Sequence, residues 1–99
     1  MLSMITLKRL PQFDSWLVGL RDGVTKARLL ARLRKVQLGN FGDYKSVGEG
    51  VFEMRIFYGA GYRVYFVQRG SEIVVLLAGG DKSTQSTDIQ KAIQLSKQV

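Results

Sequence analysis

Two short segments of strict apolar alternation, separated by Gly59-Ala60-Gly61, constrain this chain more than any other feature. In the first, residues 51–58, the even positions Phe52, Met54, Ile56 and Tyr58 are apolar or aromatic, while Glu53 and Arg55 take odd positions. Successive side chains of a strand point to opposite faces, so the even set is expected on the core and the odd set outward. Residues 62–67 repeat the pattern, with Val64 and Phe66 against Arg63 and Tyr65. A hairpin has to bring core residues opposite core residues. A two-residue loop would set Arg55 against Val64 and mix the faces. A three-residue loop sets Ile56 opposite Val64, Met54 opposite Phe66 and Arg55 opposite Tyr65. Its glycines suit the positive φ that such loops require. The consequence is a polar cluster of Glu53, Arg55, Arg63 and Tyr65 on one sheet face.

The other elements follow from period and punctuation. Residues 4–8 read as a short strand. Pro11 then fits the first turn of a helix whose apolar positions are Phe13, Trp16, Leu17 and Leu20, and Asp22-Gly23 ends it. The clearest helix runs from Thr25 to Leu38, with a stripe of Leu29, Leu30, Leu33 and Val36. Gly39-Asn40 stops it, and residues 39–43 form a loop. Residues 73–78 are an unbroken apolar run, as expected of a central strand covered on both faces. Gly79-Gly80-Asp81-Lys82 ends that strand. Ser83-Thr84 opens a last helix with Ile89, Ala92, Ile93 and Leu95 as apolar positions. The order β-α-α-β-β-β-α predicts an α+β class with a mostly antiparallel sheet. One domain spanning residues 1–99 is expected, since no linker or internal repeat divides the chain.

Composition excludes several chemistries. The 99 residues contain no His and no Cys, which removes disulfides, thiolate nucleophiles, Cys-ligated zinc and imidazole catalysis. The scattered acids predict no metal site and no cofactor. Gly79-Gly80-Asp81-Lys82-Ser83 lacks the spacing of a nucleotide-binding P-loop. No apolar stretch approaches the roughly 20 residues of a membrane span. The segment from Met1 to Leu7 reads as no signal peptide, which makes the cytoplasm the expected compartment.

Fifteen Lys and Arg against eight Asp and Glu leave a net charge of +7, which suggests a polyanionic partner. Residues 1–42 hold eight basic and two acidic residues, or +6, whereas residues 43–82 hold five of each. On the long helix Arg28, Arg32 and Lys35 share a face. That face is either a solvated surface or a contact for phosphate or a partner. The polar cluster has two readings as well. Glu53 pairs with Arg55 or Arg63 across the hairpin, or the arginines form a phosphate site with Tyr65 and with Lys82 at the end of the central strand. In the second case Glu53 or a lysine takes the proton of a ribose 2′-hydroxyl that attacks the adjacent phosphate, and cations stabilise the pentacovalent charge. Lys45 and Gln85 are auxiliary contacts.

Four ordered motifs carry a resemblance. They are Gly39-Asn40-Phe41-Gly42-Asp43, then Gly50-Val51-Phe52-Glu53-Met54-Arg55, then Gly61-Tyr62-Arg63-Val64-Tyr65, and Gly79-Gly80-Asp81-Lys82-Ser83-Thr84-Gln85 with Asp88-Ile89. Over nearly its whole length the chain resembles the RelE/ParE toxin superfamily, and more narrowly its HigB-like addiction module killer branch. The resemblance implies a microbial-ribonuclease-like fold and a type II toxin that inhibits translation by cutting mRNA in the ribosomal A site. It implies a helix-turn-helix antitoxin as partner, in a toxin–antitoxin hetero-oligomer. It places Arg55, Arg63 and Lys82 in the cleft, with Tyr65 in the Gly-Tyr-Arg motif. The chain departs from the family at Glu53, where RelE-type enzymes carry a basic residue, and it lacks a tyrosine near the C-terminus and the histidines of some HigB proteins. A ParE-like gyrase inhibitor and an inactive co-repressor are the alternatives on the same fold.

Overall fold

The computed structural model describes residues 4–99. Met1 to Ser3, part of the segment read above against a signal peptide, lie outside the described residues. The elements are β1 (Thr6–Arg9), α1 (Pro11–Gly19), α2 (Gly23–Gln37), β2 (Tyr44–Gly48), β3 (Val51–Ile56), β4 (Tyr62–Arg69), β5 (Ile73–Gly80), a 3-10 turn (Lys82–Thr84) and α3 (Gln85–Ser96). The five strands form one sheet in the order β1-β5-β4-β3-β2, with β1 parallel to β5 and the other pairs antiparallel. The α+β class and the mostly antiparallel sheet are therefore as expected.

Local chemistry accounts for the helix boundaries. Pro11 occupies the first turn of α1, where a missing N–H does no harm. Asp22 caps α2: its carboxylate accepts from Val24 N at 3.0 Å and from Thr25 Oγ1 at 2.9 Å. This cap starts α2 at Gly23, ahead of the expected Thr25. Phe13 and Leu17 of α1 pack with Leu29, Leu33 and Val36 of α2 against Met54, Ile56, Val64, Phe66, Val74 and Leu76 on one face of the sheet. Leu30, expected in the buried stripe, is instead 44% exposed, because the sheet contacts only the narrower Leu29–Leu33–Val36 side of the helix.

The opposite face carries a second core. Ala92 of α3, with Ile89, Ile93 and Leu95 beside it, covers Val51, Tyr65, Val67, Val75 and Leu77. This corrects the expectation that odd residues of β3 face outward. Helix α3 roofs that face, so Glu53 is wholly buried.

The hairpin between β3 and β4 keeps the expected parity but not the expected register. Ile56 pairs with Tyr62, Met54 with Val64, Arg55 with Arg63 and Glu53 with Tyr65. Five residues, 57–61, lie between the last pair, not three. Tyr58 N donates to Ile56 O at 2.9 Å and Gly61 N to Tyr58 O at 3.2 Å. Those bonds fold Tyr58 into the turn and withdraw it from strand pairing. Both Gly59 and Gly61 have positive φ, so the turn uses two left-handed positions where a shorter loop would use one.

Strand β2, for which the sequence reading assigned no element, runs along the sheet edge beside β3. Beyond Gly80 the chain turns into α3 under a tight restraint. A Cβ on Gly80 would overlap the Asp88 carboxylate, which accepts from Thr84 Oγ1. Glycine is what lets the end of β5 and the start of α3 approach.

Candidate active site

The register places two polar rungs across the sheet on the α3 side. Lys45, Glu53, Tyr65 and Ala78 are successive partners on β2 to β5, and Arg55, Arg63 and Gly80 are partners on the next rung. A bulge between Tyr65 and Phe66 shifts the β4–β5 register, which keeps Ala78 and Gly80 aligned with these rungs.

The two central members of the first rung, Glu53 and Tyr65, are buried. Glu53 Oε2 accepts from Tyr65 Oη at 3.2 Å and from Gln85 Nε2 at 2.8 Å. Arg63 Nε stands 3.4 Å from the same oxygen, and the Arg63 side chain is only 12% exposed. That approach is an ion pair without hydrogen-bond geometry: among the described residues Arg63 Nε and Glu53 Oε1 have no hydrogen-bond partner. Beside this charge pairing, Arg63 Nη1 donates to Gly61 O at 2.7 Å. Burial first, then the Glu53 charge, pushes the Tyr65 hydroxyl well above the ordinary tyrosine range. It is a neutral donor to Glu53 throughout the physiological range.

The second rung sets two arginines directly opposite each other, an arrangement that is unfavourable for like charges. Carboxylates flank it. Asp43 Oδ2 takes Arg55 Nε at 3.1 Å, and Arg63 faces Glu53. Asp81, hydrogen-bonded first to the Ser83 side chain and also near the Arg63 charge, has its carboxyl held below the usual range. Lys82 follows it. The Lys82 amide donates to Ala60 O at 3.3 Å, and its Cβ lies 3.5 Å from where a Gly61 Cβ would sit. The exposed Lys82 side chain thus starts beside the 57–61 turn to which Arg63 is bonded.

Each expected site residue now has a place. Arg55, Arg63, Lys82, Glu53, Tyr65 and Gln85 gather around the 57–61 turn and the start of α3. Glu53 and Tyr65 lie beneath it with no exposed surface. Lys45 is exposed on the edge strand, level with Glu53. The α2 stripe divides. Arg28 and Lys35 are exposed, but the half-buried Arg32 donates to Phe41 O at 2.9 Å, Asp43 O at 3.0 Å and Arg55 O at 2.9 Å. Its fork ties the 41–43 loop to the end of β3, and desolvation lowers its pKa from the usual arginine value. Asp43 and Asp81 were not expected at the site. The pairing of β2 with β3 brings Asp43 to Arg55, a link that sequence spacing shows only once β2 is known.

Comparison with known proteins agrees with this architecture. Residues 15–98 match the model of the phage-derived Gp49-like proteins, DUF891. The chain belongs to this Gp49-like family. The family lies within the RelE/toxin-like superfamily. An uncharacterized protein of Haemophilus influenzae Rd is 48% identical over 95 residues, covering 96% of both chains. Among solved structures, an Escherichia coli toxin RelE variant with two arginines changed to alanine, in the free state, superposes with a TM-score of 0.72. That match covers 92% of this chain and 96% of the other at 14% identity, so this Gp49-like chain has the RelE toxin fold. Among the described residues no helix is long and apolar enough to cross a membrane.

Proposed function

We propose that this chain is the toxin of a type II toxin–antitoxin pair, in the HigB-like branch, acting in the cytoplasm as a ribosome-dependent endoribonuclease that cuts mRNA in the A site. The observation that carries the reading is the Arg55–Arg63 rung with Lys82 beside it. Facing arginines repel unless an anion lies between or near them, and a planar guanidinium fork matches a phosphate. In the reaction the ribose 2′-oxygen bonds to phosphorus as the bond from phosphorus to the 5′-oxygen breaks. The hydroxyl proton ends, in net terms, on the departing oxygen. Arg55, Arg63 and Lys82 stabilise the charge that develops on the phosphoryl oxygens. Glu53, buried under Arg63, acts as a positioning group and keeps that guanidinium fixed before substrate arrives. A helix-turn-helix antitoxin is the proposed partner that neutralises the toxin.

The test is induced expression with mapping of mRNA 5′ ends. Cuts within translated codons are expected, and Arg63→Ala should abolish both cuts and growth arrest; because it strips the buried Glu53 of its cation, Arg63→Lys is the paired variant, which keeps that charge and the fold and should still lose most cuts. In vitro, cleavage should continue in chelator under conditions that keep ribosomes intact. Growth arrest with DNA damage and no cuts would replace this reading with gyrase inhibition, and arrest retained in Arg63→Ala would remove Arg63 from the mechanism.

A further inference from the structure

Between α2 and the residues that leave the end of β3 lies a groove of about 250 Å³. Arg28 and Lys35 line it from the helix, and Ile56, Phe57 and Tyr58 from the hairpin, with no acidic residue among its walls. Its aromatic rings are already paired with cations. The Arg28 guanidinium lies 4.2 Å from the Tyr58 ring centroid, and that of Arg55 lies 5.6 Å from the centroid of Phe57. Phe57 is nonetheless 79% exposed, so one ring is largely open to solvent. Arg32, the third cation of the helix face, is held by three backbone carbonyls and only walls the groove.

An exposed aromatic face beside cations that, among the described residues, no carboxylate pairs is how proteins hold unpaired nucleic acid: every base has a face to stack, and every nucleotide a phosphate. Phe57 links the groove to the candidate active site, because the Arg55 guanidinium lies over its ring and Arg55 is the cross-strand partner of Arg63. We propose that this groove binds single-stranded RNA flanking the cut, with a nucleobase stacked on Phe57 and adjacent phosphates held by Arg28 and Lys35. The inference rests on the reading of the chain as a ribonuclease and adds a second contact region to it.

The test uses fluorescence anisotropy of the full chain with a short, single-stranded 2′-O-methyl RNA, which cannot be cut because the attacking hydroxyl is blocked. Phe57→Ala should weaken binding on the order of ten-fold, and Phe57→Trp should restore it. The double substitution Arg28→Gln with Lys35→Gln should reduce the slope of log affinity against log salt by about 1.4, two phosphate contacts on a single strand. Thermal melts confirm that each variant folds, as the exposure of Phe57 leads one to expect. Affinity and salt slope both unchanged would overturn the proposal and assign the groove to a protein partner. The two readings fail separately. Cleavage by the parent with unaltered Phe57→Ala affinity removes the groove alone, whereas Phe57-dependent binding by a chain that cuts no RNA removes the ribonuclease reading alone.

Discussion

Removal of the Glu53 carboxylate is the perturbation the structure sizes best. Glu53 has no exposed surface, and its Oε2 serves Tyr65, Gln85 and Arg63 at once. In Glu53→Ala the largely buried Arg63 guanidinium loses its counter-charge, and breaking such a pair from one side costs about 3–5 kcal/mol. The Tyr65 hydroxyl also loses its acceptor, worth roughly 1–3 kcal/mol if nothing replaces it. The side chains relax around the deletion, so a total near 4 kcal/mol is expected, against about 5–15 kcal/mol for a whole domain. At this size each kcal/mol moves the melting temperature by roughly 4–8 °C, so the drop is about 15–30 °C.

Calorimetry and urea titration at pH 7 read the effect, and a cycle isolates its cause. Glu53→Leu combined with Arg63→Met replaces both charges by apolar volume and should recover most of the loss, because a buried pair exchanged whole is often close to neutral. The coupling between the two positions should exceed about 1 kcal/mol, within the range seen for residues in contact. Additivity to within about 0.5 kcal/mol, or a Glu53→Ala melt only a few degrees below the parent, would refute the network as the element that holds Arg63.

Arg32→Lys keeps the charge but loses the fork that reaches Phe41, Asp43 and Arg55, and urea titration should show a loss of about 1–3 kcal/mol. Asp43→Asn should change stability by under about 1 kcal/mol, because the Asp43–Arg55 pair is partly exposed, yet alter the cleavage rate by freeing Arg55. A larger stability loss there would mean that the pair holds the loop and not the side chain. Tyr65 supplies a pH test: its folded pKa lies above the unfolded value near 10, so its contribution is complete below pH 10 and is lost as pH rises beyond it. Tyr65→Phe should flatten the alkaline fall in stability by up to about 1.4 kcal/mol per pH unit, and an unchanged slope would show that the hydroxyl ionises freely in the fold.

The legible and illegible parts of this fold divide along physical lines. Hairpin parity was readable because a one-residue slip would carry Met54 and Val64 to the wrong face. A shift by a whole pair changes no face, so the alternation could not choose between Arg55–Tyr65 and Arg55–Arg63. Turn hydrogen bonds of Tyr58 and Gly61 decided that. Strand β2 escaped because an edge strand with mostly exposed side chains needs no apolar alternation. The burial of Glu53 is implicit in two sequence features taken together: α3 has an apolar stripe, and the helical first half of the chain already covers the other face. Arg28, Arg32 and Lys35 look alike by spacing. Only the path of the 41–43 loop, which no local pattern encodes, separates the anchored Arg32 from its two exposed neighbours.

The facing arginines are held in unequal ways, and the inequality suits the chemistry proposed for them. Arg63 is 12% exposed, bonded to Gly61 O and set over a buried carboxylate that pairs with no other cation among the described residues. Desolvation makes that arrangement slow to exchange, so an incoming phosphate meets a guanidinium already in place. Arg55 pairs with Asp43, whose side chain is 40% exposed, and such a pair is weak in water. A phosphate entering from the Phe57 side can therefore draw Arg55 from Asp43 at small cost, while Arg63 keeps its position. On this view two acids of residues 43–82 serve the arginines: Glu53 fixes Arg63, and Asp43 holds Arg55 loosely until a stronger anion arrives. The excess of +6 in residues 1–42 then acts at longer range, through exposed cations such as Arg28 and Lys35, on whatever polyanion brings that phosphate in.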